Sequence, residues 1–471
     1  MNKINIKLKL ISLSLVLLIA LGSCGTYKNL PDAPVVNSDG MLRSELPVES
    51  DSNAIKPVEW RQHFQDARLQ SLISEGLSNN IDLQLALKRI EQSEATLMIS
   101  RAAMAPNVAG AAQINHTRTS NGKNGEDFLG YTSNVNSLGV SITWEADIWS
   151  KLGNQSKAKY AAYLQTQEYR NLVQTTLVAN IANGYYNLLA LDDQLRITRE
   201  TIELLKKSAE TISALKESGQ QNAAAVEQSL ALLYSTEISV STLQVAIREQ
   251  ENALSLLIGR IPGPVDRGTL ADEKTPDVLV KGFPVAVLSF RPDVKQAELA
   301  VRQALSVTKS AKAAFYPSLV LSTGSFGLAA GTFSGFFTPE NLALQLVGGI
   351  TQPIFNRKQL KGNLKIAQSQ QEESLISFRN VMLKAGQEVS NLLYGLNTSL
   401  GKNELRNKQI ASLNNAVDYT QQLLLAGEAT YTEVLNAQQS LLNAQLSGVK
   451  DKLEQLQYSV NLYRALGGGV N

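Results

Sequence analysis

The sequence has little of the side-chain chemistry that enzymes and metalloproteins use. Its 471 residues contain one cysteine and two histidines. A sole cysteine, Cys24, excludes internal disulfides and Cys-based zinc sites. His63 and His116 lie far apart in sequence, which favours polar surface or lumen residues over a catalytic or metal-binding pair. No phosphate-binding loop, dinucleotide fingerprint or nucleophile elbow occurs. We therefore expect a protein that is not an enzyme and binds no cofactor other than a covalent lipid.

An excess of charge of either sign is also missing, because 44 basic and 42 acidic residues give a formal net charge of +2. Lys3, Lys7 and Lys9 precede an apolar run that is too short to span a bilayer and is followed by small residues. Residues 1–23 therefore read as a secretion signal. Its removal leaves a side-chain charge of about −1. This balance gives no electrostatic reason to expect a nucleic-acid partner.

The segment Leu21-Gly22-Ser23-Cys24 resembles a bacterial lipobox. In that interpretation the thiol of Cys24 receives a diacylglycerol and the new terminal amine is usually acylated, which gives stable anchoring in lipid. The alternative is a chance cysteine behind a signal peptide. Residues 24–59 contain four prolines among polar residues and are predicted to form an extended tether.

Two long stretches with few helix breakers carry a seven-residue apolar repeat. Each runs into a short glycine-containing tip, Ser218-Gly219-Gln220 or Ala426-Gly427-Glu428, and restarts at once as a second heptad pattern. The second incoming helix would have about 60 residues and a length of about 90 Å. The pattern predicts two antiparallel helical hairpins, and the apolar heptad positions are Ile181, Leu188, Leu195, Ile202, Val226, Leu233, Val240, Ile247, Leu435, Leu442, Val449 and Leu456.

Period-two segments precede each hairpin. The clearest is Asn136 to Asp147, with one apolar and one polar face, and Val108 to His116 is its predicted partner. A helix from Asp66 to Arg101 is expected before them and ends near Pro106. The arrangement returns later in the chain at a constant offset, where Pro317 matches Pro106 and two further strands, Ser318 to Leu328 and Leu342 to Thr351, follow.

The chain is therefore interpreted as a tandem duplication. Repeat 1 spans residues 60–259 and repeat 2 spans 285–467, with a linker at 260–284 and a tail at 468–471. Trp149 is matched with Phe355, and Gly153-Asn154 with Gly362-Asn363.

Four strands cannot close a barrel, and an open sheet edge in hydrocarbon would leave backbone groups without hydrogen bonds. If the strands span a membrane, subunits must combine: two copies would give a filled barrel, and three would give twelve strands with a lumen. The rival hypothesis is a lipid-anchored periplasmic coiled-coil tether without a pore. The heptads alone allow a tether, but a tether does not need amphipathic strands in both repeats.

The lipobox, the duplicated element order and the tip from Ala426 to Leu441 resemble the TolC-type outer-membrane efflux proteins, specifically their OprM/NodT-like lipoprotein branch. The segment Trp144 to Trp149 followed by Gly153 is similar to the family's junction between strand and long helix. The resemblance implies a mixed α and β membrane protein and a homotrimer with a twelve-stranded transmembrane β-barrel continued by an α-helical barrel through the periplasm. It further implies the outer-membrane channel of a tripartite efflux pump, a passive conduit that works with a periplasmic adaptor (membrane fusion protein) and an inner-membrane transporter.

The family's site residues are carried over by position. Its hairpin tips meet the adaptor, which implies contacts by Ser218, Gly219, Gln220, Ala426, Gly427 and Glu428. Its periplasmic gate maps to Thr432, Glu433 and Asn436. Asn436 departs from the Asp that is frequent there, so one carboxylate per subunit is expected at the constriction. An exposed Glu433 in an ordinary coiled-coil turn is the alternative, and drug efflux, metal efflux and a type I polypeptide secretion exit duct all stay open as functions.

Overall fold

The computed structural model describes residues 30–33, 43, 59–119, 131–274, 285–330 and 337–469. Cys24, the leader and most of the predicted tether lie outside these residues. So do residues 275–284 of the linker and 470–471 of the tail.

The order helix, strand, strand, long helix and returning helix occurs twice, and two further helices precede it in the first set. The first set is α1 (Trp60–His63), α2 (Ala67–Asn79), α3 (Ile81–Ala102), β1 (Asn107–Thr119), β2 (Tyr131–Ala146), α4 (Lys151–Glu217) and α5 (Ala223–Leu257). Short 3-10 turns at Leu270–Asp272 and Val285–Phe290 follow. The second set is α6 (Pro292–Ala313), β3 (Ser318–Ala330), β4 (Leu342–Thr351), α7 (Gln359–Ala426) and α8 (Tyr431–Ala465), with a further 3-10 turn before β4. At 67 and 68 residues, α4 and α7 would each be about 100 Å long.

Two different offsets relate the repeats. Pro317 follows Pro106 by what is here called the longer offset. Helix α6 begins and ends one longer offset after α3, and strand β3 begins and ends one longer offset after β1. The tip glycines Gly219 and Gly427 are separated by a shorter offset. Helix α8 begins and ends one shorter offset after α5, and α7 begins one shorter offset after α4. The difference between the two offsets therefore arises between the first strand and the long helix of each repeat, where β4 (10 residues) is shorter than β2 (16 residues).

The predicted match of Trp149 with Phe355 is wrong, because the shorter offset pairs Trp149 with Arg357. The indole nitrogen of Trp144 donates to the Met104 carbonyl at 3.0 Å, and the Gln352 amide donates to the Phe315 carbonyl at 3.0 Å. These bonds are equivalent only when Trp144 is matched with Gln352, at the shorter offset. The same offset places Gly362 opposite Asn154, so the match of Gly153-Asn154 with Gly362-Asn363 is wrong as well. Trp149 and Phe355 are both aromatic, but the hydrogen bonds and helix bounds show that they do not occupy equivalent positions in the two repeats.

The helix predicted from Asp66 to Arg101 is two helices, separated at Asn80. Asn80 has φ −59° and ψ 129°, which is not helical. Its side-chain oxygen accepts from the Leu83 N–H at 2.9 Å, and its side-chain nitrogen donates to the Leu257 carbonyl at 2.8 Å. The side chain therefore caps α3 and fixes the end of α5, which offsets the lost helical hydrogen bonds.

The four strands form one antiparallel sheet in the order β1-β2-β3-β4. Ala109 pairs with Ser141, and Ser318 pairs with Thr351. One face carries Val108, Ile114, Leu138, Val140, Ile142, Leu321 and Phe326, which are exposed by 37 to 78%. Among the residues that the structure describes, this apolar face has no cover, and no further strand pairs with the outer edges of β1 and β4.

The chain divides into two compact units. One comprises the sheet with residues 89–166 and 297–378, and the other contains the remaining lengths of the long helices and both tips. The core of the second unit lies along α4, where Ile181, Tyr185 and Leu188 are fully buried and belong to one cluster with Leu456 and Val460 of α8.

Candidate functional sites at the hairpin tips

The first tip is a glycine-capped helix end. Gly219 has φ +78°, and its N–H donates to the Lys216 carbonyl at 2.9 Å while the next N–H, of Gln220, donates to Leu215 at 2.8 Å. This pair of bonds is the Schellman arrangement, which favours glycine because a left-handed residue has no Cβ penalty there. Asn222 then caps α5 by accepting from the Ala225 N–H at 3.0 Å. The positive φ expected at the tip is confirmed.

The second tip ends in the same way, with Gly427 at φ +76° and the Glu428 N–H donating to the Leu423 carbonyl at 2.9 Å. Its restart differs, because Thr430 and Glu433 form a reciprocal capping box. The Glu433 carboxylate accepts from the Thr430 N–H at 2.9 Å. The spacing Thr-x-x-Glu before an apolar run is the sequence signal for this box, and it was missed in the sequence.

Glycines of the same kind end the returning helices, but their surroundings differ. Gly259 has φ +74°, and a Cβ there would lie 2.5 Å from the Asn79 carbonyl oxygen. Gly467 has φ +82°, and its Cβ would lie 3.0 Å from Phe290 backbone atoms. A Cβ on either tip glycine would meet nothing within 4 Å. Packing thus requires glycine at the helix bases, whereas a larger side chain at either tip would meet open space.

The structure brings the three predicted gate residues together in the first two turns of α8. Thr432, Glu433 and Asn436 are all exposed, while Val434 and Leu435 between them are buried. Leu435 therefore lies in the packing seam, as its heptad position predicts. Glu433 has a structural function in the capping box and still presents its charge at the surface.

Two hydrogen bonds join the hairpins near the tips. The Tyr431 hydroxyl donates to Gln228 at 2.8 Å, and the Gln438 amide donates to Ser208 at 3.3 Å. Since Gln228 belongs to α5 and Tyr431 to α8, the returning helices of the two hairpins lie side by side at this end.

The linker after α5 is held by charged and phenolic groups that were not predicted from the sequence. Arg267 lies between Asp192 of α4 and Glu251 of α5. The Tyr185 hydroxyl donates to Asp66 and accepts from the Gly268 N–H at 2.9 Å. Burial, followed by the negative charge of Asp66, raises the pKa of Glu273 to about 7, while Lys452 acts in the opposite direction. The pKa of Glu273 therefore lies near neutral pH, so its charge changes with pH in this range.

His63 is a core residue, which corrects the expectation of a surface or lumen position. It is 7% exposed and its ring stacks on Tyr463 at 4.4 Å between centroids. Burial lowers the pKa of His63 to about 4, so the ring is neutral at physiological pH. His116 is exposed on β1. In the described ranges, groups of three or more His, Cys, Asp or Glu side chains that could hold a metal ion do not occur.

The junction of β2 with α4 is built by the residues of the recognised motif. The Asp147 carboxylate accepts from the N–H groups of Leu152 at 2.9 Å and Gly153 at 2.6 Å, which satisfies the first turn of α4. The Trp149 indole donates to the Pro317 carbonyl at 2.8 Å and stacks on Tyr316 at 4.8 Å. The motif therefore joins repeat 1 to the start of β3 in repeat 2.

Comparison with known proteins finds one family over most of the chain. The family described as "Outer membrane efflux protein" matches residues 72–260 and 284–468. The chain is 28% identical over 466 residues to the probable outer membrane lipoprotein SilC of Salmonella typhimurium, covering 98% of this chain and 99% of that protein. It is also 28% identical to the toluene efflux pump outer membrane protein TtgC of Pseudomonas putida, covering 95% of this chain and 93% of TtgC.

A crystal structure of CusC, described in terms of folding and transmembrane channel formation, superposes with a TM-score of 0.82 at 27% identity. It covers 93% of this chain and 99% of the CusC chain. Both the element order and its arrangement in space are thus shared with that protein.

Proposed function

The chain belongs to the outer membrane efflux protein family, and from this premise we propose that three copies assemble into one conduit. The protein is the outer-membrane channel component of a tripartite efflux pump, and its family consists of channel proteins rather than enzymes. Energy for export must then come from a partner. The oligomer, the closed barrel and the contacts with other pump components form the proposal.

The observation that carries the trimer is a difference between equivalent faces of α8 and α5. Leu442, Leu446 and Leu453 of α8 pack against the buried core. At the shorter offset, the equivalent residues of α5 are Tyr234, Ile238 and Val245, which are 56%, 68% and 58% exposed. The hydrogen bond between Gln438 and Ser208 places α8 beside α4, the long helix of the other repeat. Among the described residues, the exposed face of α5 has no equivalent neighbour.

A second copy supplies the missing cover for α5. Among the described helices, α5 is also the one long and apolar enough to cross a membrane by length and composition. Its heptads and its polar cap at Asn222 assign this surface to helix packing instead. Covering the three side chains would contribute about 5 kcal/mol per interface.

The sheet supports the same assembly. Its apolar face is suited to lipid, and its outer edges on β1 and β4 carry backbone groups that hydrocarbon cannot satisfy. Three copies give twelve strands and a lumen. In this assembly β4 of each chain pairs with β1 of the next.

The positions of Cys24 and of the two hairpin tips suggest where lipid and the protein partners bind. Lipid on Cys24 anchors the chain in the outer membrane, in agreement with the lipoprotein relative SilC. The exposed tips at Gly219 and Gly427 dock a periplasmic adaptor, through which an inner-membrane transporter delivers cargo. The name of TtgC gives toluene as the substrate of its pump; for this chain the proposal is a small molecule, with a polypeptide exit duct as the alternative.

Conductance in planar lipid bilayers tests the conduit. We expect discrete channel openings from the detergent-extracted full-length protein. A variant with Tyr234, Ile238 and Val245 each replaced by Ser should lose the trimer and the openings. Ile261→Ser is the matched control, because Ile261 is an apolar side chain with 88% exposure outside this face. Inserted trimers that never conduct would support the tether hypothesis instead.

A further inference from the structure

Basic residues accumulate where the sheet meets the helices. Residues 145–159, 309–317 and 352–365 lie at the helix-side ends of β2, β3 and β4, and together they contain nine basic and two acidic residues. Over the whole chain the two kinds are nearly equal in number. Both acidic residues already have partners, because Glu145 pairs with Lys151 at 2.5 Å and the Asp147 carboxylate caps α4. These segments therefore leave an excess of positive charge at this end of the sheet.

Helix α6 lies between α4 and α7 at this end of the sheet. The Ser310 hydroxyl of α6 donates to the Lys151 carbonyl of α4 at 2.9 Å. The Thr308 hydroxyl of α6 donates to the Ala367 carbonyl of α7 at 3.1 Å. Residues two apart on a helix differ in direction by about 200°, so these two bonds leave opposite sides of α6. The three helices therefore form a layer with two open faces.

One face of this layer is an open groove. Along α6 and α7 the groove is lined by uncharged side chains, among them Gln303, Val307, Asn363 and Gln370. Four exposed lysines lie on the opposite face and are here called the lysine face: Lys309, Lys312, Lys361 and Lys365. The two α6 lysines lie about 140–200° around the helix from Val307, and the two α7 lysines lie about 160–200° from Asn363. Near the sheet, the positive charge of α6 and α7 is thus confined to one side.

The lysine face has no partner inside the described part of the chain. None of its four side chains forms an ion pair or a hydrogen bond with a residue that the structure describes. Neighbouring ammonium groups repel one another, and each carries three hydrogen-bond donors and no acceptor. An anion with several oxygen atoms therefore suits this face.

Exposed apolar and aromatic side chains lie, in sequence, between these lysines and the strands. Tyr316 follows α6, is 54% exposed and stacks on Trp149, which is 47% exposed. Ile354 and Phe355, between β4 and α7, are 99% and 85% exposed. At the boundary of a bilayer, aromatic rings lie at headgroup level and lysines extend their ammonium groups to the headgroups. A small soluble anion would leave the apolar side chains uncovered, whereas a lipid covers them with its acyl chains.

We propose that the lysine face binds anionic phospholipid headgroups in the periplasmic leaflet of the outer membrane. The proposal rests on the conduit proposed above, which places the sheet in that membrane. Along the helix axes, the four lysines lie about 2 to 9 Å from the sheet-side ends of α6 and α7. A headgroup layer is about 5 to 8 Å thick, so the flexible lysine side chains can reach it. The uncharged groove on the opposite face then faces the lumen.

Fluorescence quenching by brominated lipids tests this binding with natural reporters. Trp144 at the end of β2 and Trp149 lie beside the proposed headgroups, whereas Trp60, the third tryptophan, is 2% exposed. The full-length protein is reconstituted in phosphatidylcholine vesicles, with brominated phosphatidylglycerol or brominated phosphatidylcholine as the quencher. We expect phosphatidylglycerol to bind more tightly by about fivefold for each lysine that contacts a headgroup. The preference should fall at high salt, which screens exposed charges.

A matched pair of variants isolates the lysine face. Replacing its four lysines by glutamine should make the two brominated lipids quench equally. The control replaces four exposed lysines of the second compact unit by glutamine and so removes the same charge: Lys207, Lys216, Lys384 and Lys450. The control should keep the preference of the natural protein for phosphatidylglycerol.

The outcomes separate this inference from the conduit. Channels that insert and conduct but bind both lipids equally overturn the role of the lysine face only, as does a control variant that loses the preference fully. A four-lysine variant that keeps the lipid preference but changes single-channel ion selectivity would place these lysines in the lumen, with the same consequence. If neither brominated lipid quenches the tryptophans of the reconstituted protein, the sheet is not in the bilayer and the conduit is overturned as well.

Discussion

Replacing the tip glycines by alanine should separate docking from folding. At Gly219 and Gly427, with φ values of +78° and +76°, alanine costs about 1 to 2 kcal/mol per site in backbone conformation. A Cβ meets nothing within 4 Å at either position, so a clash adds nothing. Because long coiled-coil packing lies below the tips, we expect the trimer to persist in both variants.

The matched variants are Gly259→Ala and Gly467→Ala at the helix bases. They carry the same backbone cost, and at Gly259 the new Cβ would lie 2.5 Å from a backbone oxygen of Asn79. Overpacking of this kind costs about 1 to 3 kcal/mol more. We therefore expect Gly259→Ala to have a lower thermal unfolding temperature, measured by circular dichroism, than either Gly219→Ala or Gly427→Ala.

Docking is measured by cross-linking to the adaptor in cells. Gly427→Asn adds bulk while tolerating a left-handed backbone, so it should weaken adaptor cross-linking with little loss of stability. Tip variants that lose the trimer, or that keep full adaptor cross-linking, would refute the assignment of the tips as a docking surface. The first result would make Gly427 a purely structural cap.

Three further predictions concern charge and lipid. Glu433→Gln removes the charge but keeps a side chain that can complete the capping box. The variant should therefore show lower cation selectivity in single-channel recordings and unchanged thermal stability. Unchanged selectivity in a conducting channel would place the constriction elsewhere. Cys24→Ala should abolish palmitate labelling, and labelling that persists would exclude lipidation at Cys24. Burial raises the pKa of Glu273 to about 7 from 4.5, so its contribution to stability should fall as pH rises from about 4.5 through 7, and Glu273→Gln should be more stable than the natural protein at pH 8 by on the order of 1 to 3 kcal/mol. Equal pH dependence of unfolding in both proteins would show that Glu273 is ionised in the fold.

Strong periodicity made the long elements predictable. The heptads located both hairpins, β4 has the predicted bounds Leu342–Thr351, and the glycines at the tips have the expected positive φ. These features are local, since a seven-residue period or a helix-ending glycine is decided by neighbours in sequence.

Features that depend on tertiary contacts were missed. The break at Asn80 contains neither glycine nor proline and exists because its side chain bonds to both α3 and α5. His63 is buried because Tyr463, near the opposite end of the chain, stacks on it. The capping box of Glu433 is an exception, because its signal was local and was overlooked. The periodicity of apolar residues in a sequence does not predict which residues from distant parts of the chain a polar side chain will contact.

The mass of the particle extracted from membranes in mild detergent tests the central claim most directly. Sedimentation equilibrium, with the density of bound detergent matched by the solvent, gives the protein mass alone. We predict three copies of the lipidated chain, because the bare face of α5 and the free edges of β1 and β4 each require a neighbour. A stable particle of one or two copies that remains folded would contradict the trimeric conduit.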